Sequence, residues 1–88
     1  MLNENPSELS TIDLFNTHCP PGLTVEIEGF RSWSVSRLPR PNLITAIMHV
    51  NTLCTRRASA DPEAFSKRVT VTGLDMEKKF IRVKLAPE

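Results

Sequence analysis

Eighty-eight residues, 40% hydrophobic and 24% charged, are enough for one hydrophobic core but not two, and too apolar for a chain that charge keeps disordered. A formal net charge of +1 excludes a strongly polycationic chain, and no stretch approaches the ~20 consecutive apolar residues of a membrane span. The expected organisation is therefore a single α+β domain over 1–88, with a short helix and proline-rich exit in 1–20 and the sheet and main helix in 21–88.

In chain order, Asn5-Pro6-Ser7-Glu8 combines a capping residue, a first-turn proline and a capping-box acid. It predicts a short helix whose apolar edge is Leu9, Ile12 and Phe15. His18-Cys19-Pro20-Pro21-Gly22 ends that helix, because successive prolines remove amide donors, and Pro21-Gly22 suits the centre of a type II turn. Leu23 to Ile27 alternates apolar with polar and predicts a half-buried strand. A second alternation from Arg31 to Arg37 pairs with it. Facing Val25 with Trp33 and Leu23 with Val35 requires an odd loop of three or five residues around Gly29, so the two-residue Gly29-Phe30 turn is rejected and Trp33 is assigned to the core.

Leu38-Pro39-Arg40-Pro41 interrupts, and Asn42 offers a cap for a helix over about 43–57. At ~100° per residue, Leu43, Ala46, Ile47, Val50, Leu53 and Cys54 share one face. Ile44 and Met48 fall outside that face and require a cover, either the N-terminal helix or another subunit, which makes them the candidate partner or dimer interface. Ser59-Ala60-Asp61-Pro62-Glu63 starts one or two further turns through Phe65. Val69 and Val71, then Ile81, Val83 and Leu85, define two last strands joined by residues 73–78. The element order is α-β-β-α-β-β, an antiparallel-type sheet of two hairpins with one main helix on one face.

The candidate chemistry is sparse. His18, Cys19, His49 and Cys54 lack the spacing of a zinc site, since His49 and Cys54 stand five apart on one helix. Cys54 on the core stripe and Cys19 at a helix exit lack the electropositive setting of a nucleophilic thiol. The acids are scattered, the glycines are explained as turn residues at 22, 29 and 73, and no metal, cofactor or catalytic residue is expected.

Charge is distributed unevenly: residues 1–30 hold five acids and no base, whereas all eleven Lys and Arg residues follow. Such asymmetry reflects either two halves that face each other or an anionic partner. On the last strand Phe80, Arg82 and Lys84 share a side, flanked by Lys67, Arg68, Lys78 and Lys79, an arrangement that suits single-stranded nucleic acid and equally a charged edge that resists aggregation.

The sequence therefore predicts a non-enzymatic interaction protein, an adaptor or inhibitor docking on a larger macromolecule, of a size that also suits a phage or plasmid accessory protein. Protein is the favoured partner, nucleic-acid binding through the basic final hairpin is the alternative, a homodimer remains open, and no membrane partner is expected. Met1-Leu2-Asn3-Glu4-Asn5-Pro6 resembles neither a secretory signal nor a transit peptide. Two cysteines are too few for a secreted disulfide framework. Both points lead to the expectation of a cytoplasmic protein with reduced thiols.

Overall fold

The computed structural model describes residues 11–35, 42–57 and 61–87. The helix start at 5–8, Leu9 and the proline segment 38–41 lie outside them. The order is α1 (Thr11–Asn16), β1 (Leu23–Ile27), β2 (Ser32–Val35), α2 (Leu43–Thr55), α3 (Pro62–Ser66), β3 (Val69–Asp75) and β4 (Phe80–Leu85). The result is an α+β fold in which α2 lies on one face of a four-stranded sheet of order β2-β1-β4-β3.

Both hairpins are antiparallel, but the sheet is mixed, because β1 and β4 pair in parallel at its centre. The length of α2 explains this. Its 13 residues rise about 20 Å, close to the ~17–20 Å of strands of ordinary length, so the helix carries the chain from one end of the sheet to the other. β3 then descends and β4 rises alongside β1. The two central strands carry the most deeply buried residues of the sheet, Leu23, Val25 and Ile27 with Ile81 and Val83.

The first hairpin has the register demanded by side-chain parity, Leu23 facing Val35 and Val25 facing Trp33, and its last pair, Glu26 with Ser32, leaves a five-residue loop. Within that loop the Phe30 amide donates to the Ile27 carbonyl at 2.9 Å, and Gly29 sits at φ 94°, as the third residue of a type II turn requires. Pro21-Gly22 forms the same turn, closed by the Leu23 amide on the Pro20 carbonyl.

Asn42 caps α2, its Oδ1 accepting from the Thr45 amide at 2.9 Å and from the Thr45 hydroxyl at 2.7 Å. Asp61 caps α3, and Phe65 is fully buried beneath that turn.

Four expectations are corrected. In α1 the buried residue is Leu14, 2% exposed, whereas Ile12 is 69% exposed and Phe15 is only partly covered. Because α1 packs against α2, the face turned inward is set by that contact and not by spacing three. On α2 the buried arc runs through Leu43, Ile44, Ala46, Ile47, Val50 and Asn51, rotated about 40° from the expected stripe. A helix covered by a sheet on one side and another helix beside it has a wider buried arc than one covered by a sheet alone. Ile44 is 1% exposed and Met48 half-buried against the core, with α1 packed on α2; of the two covers offered for this edge, the N-terminal helix is therefore present.

Leu53 leaves the core at 45% exposure, and Trp33 and Cys54 are half-buried at its margin. Finally, Gly73 belongs to β3 and not to the turn. The register shifts between Val71 and Gly73, so Thr72 is the extra residue of a bulge. Val71 and Leu74 differ in parity, and only an inserted residue lets both face the core, opposite Val83 and Ile81.

These assignments separate two neighbours on one short helix. Leu14→Ala is expected to cost about 2–5 kcal/mol in urea denaturation, whereas Ile12→Ala stays within about 0.5 kcal/mol. Equal costs would refute the placement of α1.

Candidate functional site

Every described helix lies on one side of the sheet or beside α2, which leaves the opposite sheet face open. Alternation places Thr24 and Glu26 of β1, Ser32 and Ser34 of β2, Thr70 of β3 and Phe80, Arg82 and Lys84 of β4 on that face. The three residues singled out on the last strand are therefore brought together, but their chemistry is largely spent within the face. The Arg82 Nε donates to Glu26 Oε2 at 3.1 Å, the Ser32 hydroxyl donates to Glu26 Oε1 at 3.3 Å, and the Arg82 guanidinium sits 5.6 Å from the Phe80 ring centroid. An aromatic platform covered by its own arginine, which is itself paired with a carboxylate, is a poor surface for stacking a base.

The flanking cations do not join this face as one patch. Lys78 and Lys79 are exposed in the β3–β4 turn, where the Lys78 amide donates to Asp75 Oδ1 at 3.1 Å. Lys67 and Arg68 stand at the other end of the hairpin. Arg68 is engaged twice, its Nε donating to the Ala86 carbonyl at 2.9 Å and its guanidinium lying 5.7 Å from the Phe65 ring. The basic hairpin is thus two separated pairs of cations and a strand on which Arg82 is paired with Glu26 while Lys84 is exposed.

A different site emerges at the β2 edge. The β1–β2 loop and the end of α2 border an open groove of about 680 Å³ whose exposed lining is more polar than apolar. The hairpin supplies Gly29, Phe30, Arg31 and Trp33; the helix supplies Leu53, Cys54 and, just past its end, Arg56. Phe30 and Leu53 are 46% and 45% exposed, and the Arg31 guanidinium is held 5.7 Å from the Trp33 ring. Among the described residues no acid lines the groove.

The local sequence produces this arrangement. The turn at Gly29 throws Phe30 and Arg31 outward, and the helix stops at Arg56, whose amide bonds the Thr52 carbonyl at 2.8 Å with the residue in the left-handed region at φ 60°. Gly or Asn ordinarily occupies such a cap, so the Arg is carried at a conformational cost of about 1–2 kcal/mol. Sequence reasoning assigned Trp33, Leu53 and Cys54 to the core and overlooked the groove. The available signal was an apolar Phe30 beside a glycine turn, together with a helix stripe that continues to Leu53 and Cys54.

Among the described residues no three His, Cys, Asp or Glu side chains gather into a metal-binding cluster, and none of the described helices is long and apolar enough to cross a membrane. Cys19 is buried, and desolvation pushes its thiol above the usual cysteine range. No family model matches the chain, and no curated protein or solved structure matches it significantly.

Two measurements probe this region. Arg56→Gly is expected to raise stability by roughly 0.5–1 kcal/mol in chemical denaturation, since the relief of left-handed strain exceeds the entropy cost of glycine; a loss of stability would show that the Arg side chain contributes to the fold. Iodoacetamide is expected to label Cys54 well before Cys19 at mildly alkaline pH, because a buried thiol with a raised pKa supplies little thiolate, and preferential labelling of Cys19 would contradict its burial.

Proposed function

We propose that this protein is a non-enzymatic interaction module of adaptor or inhibitor type, which acts by docking its β2 edge on a larger macromolecule, and that the macromolecule is a protein. The observation that carries this reading is the groove between Phe30 and Leu53. Large apolar side chains clustered in a concavity and rimmed by arginine are the composition of interface hot spots, in which Trp and Arg are enriched. The two free cysteines, one of them buried, accord with a reducing, cytoplasmic setting.

Nucleic-acid binding through the final hairpin is the second reading, favoured by Lys67, Lys78, Lys79 and Lys84, all exposed. Against it stands the Arg82 guanidinium over the Phe80 ring, itself paired with Glu26.

A photoreactive benzophenone side chain placed at position 53, with position 70 of the open sheet face as control, is expected to form protein adducts in extracts of the source cells from position 53 only. In parallel, titrations of single- and double-stranded DNA and RNA at two salt concentrations are expected to show no tight, steeply salt-dependent binding. Steep salt dependence abolished by Arg82→Gln with Lys84→Gln would establish the second reading in place of the first.

A further inference from the structure

The groove has a chemistry more specific than apolar contact. Its walls are Phe30 and Leu53, exposed on facing elements, with Trp33 half-buried between them. Its cations come from two different elements, Arg31 from the hairpin loop and Arg56 from the end of α2. Arg31 is already held against the Trp33 ring, so part of the ordering cost of pairing it with an anion is met before binding. Both arginines are exposed, and arginine at such a rim matches a carboxylate in a planar, two-pronged geometry.

Resting on the interaction reading above, we propose that the groove takes an acidic segment of a partner protein, seating one large apolar side chain against Phe30, Trp33 and Leu53 while carboxylates beside it meet Arg31 and Arg56. The occupant is identified by charge complementarity: among the described residues the lining contains two cations and no acid, beside the side chains of Phe30, Trp33 and Leu53. A nucleic-acid strand fits less well. Phosphates recur along a strand and need a continuing track of cations, whereas the sheet order β2-β1-β4-β3 puts Lys67 and Arg68 at the start of the opposite edge strand, roughly three strand spacings or ~14 Å from β2, and Lys78 and Lys79 lie in the β3–β4 turn beside the start of β1, at the other end of that strand from the groove loop. The left-handed Arg56 fits the same account, since a cap position that glycine would fill more cheaply instead carries the cation that completes the rim.

Trp33 is the only tryptophan of the chain, so a tryptophan-free probe reports directly. An acetylated, amidated hexapeptide, Asp-Glu-Leu-Phe-Glu-Asp, is titrated into the full chain with Trp33 emission and amide resonances as readouts. Three comparisons accompany it: the same peptide with Lys at the four acidic positions, a ten-nucleotide oligothymidylate, and the Arg31→Gln, Arg56→Gln and Leu53→Ser variants, each checked for a native spectrum.

The expected result is a Trp33 response to the acidic peptide with amide shifts confined to the 29–33 and 53–56 regions, weakened at least about fivefold by either arginine substitution and by raised salt, and lost in Leu53→Ser. Equal binding of the lysine peptide, shifts centred on the open sheet face, tighter binding of oligothymidylate at the same resonances, or no response at millimolar peptide would each overturn the proposal. If the peptide fails while the position-53 adducts persist, only the chemistry assigned to the partner is wrong; if the adducts are also missing, the interaction reading falls with it.

Discussion

The parallel pairing of β1 with β4 beneath α2 is the constraint on which the rest of the structure depends. Each hairpin alone would be marginal in water, because a two-stranded ribbon buries too little apolar surface. Joined through their most apolar strands, they present Leu23, Val25, Ile27, Ile81 and Val83 as one surface, all essentially inaccessible to water. The helix that carries the chain between them also covers that surface. Its length sets the strand direction, and its width, increased by the contact with α1, sets which of its residues are buried.

From that arrangement follow two unequal exposed regions. The open sheet face lies opposite the helices, so it is polar, and its central residues satisfy one another through Glu26, Arg82, Ser32 and Phe80. Such an exposed pair contributes little to stability, with both side chains about a third accessible, but it uses up charge that a ligand would otherwise meet. The groove at the β2 edge has the opposite character. There the last turn of α2 leaves Leu53 exposed, and the turn at Gly29 adds Phe30 to the margin. Apolar side chains remain in contact with water beside two arginines whose charge no acid in the lining balances.

The functional reading draws on that contrast. A surface whose polar groups are mutually satisfied has little to gain from a partner, whereas a concavity with exposed Phe30 and Leu53 and a rim of Arg31 and Arg56 gains by both burial and pairing.

The sequence by itself determined what depends on neighbours along the chain. The hairpin register followed from the parity of Leu23, Val25, Trp33 and Val35; the turns from Pro21-Gly22 and Gly29; the start of α2 from Asn42; and the common side of Phe80, Arg82 and Lys84 from period two. Sequence reasoning failed wherever the answer depended on what an element packs against. Ile12 and Leu14 exchanged roles because α2 selects the inward face of a helix six residues long. Ile44 is buried where α1 packs on α2, one of the two covers its position required, whereas Leu53, placed on the core stripe, is 45% exposed. Gly73 was legible as a break but not as a bulge, since only pairing with β4 shows Thr72 to be the extra residue. The parallel centre and the groove were likewise decided in three dimensions alone: periodicity reports which side of an element is apolar, but how far a covering surface extends is a property of the assembled layers.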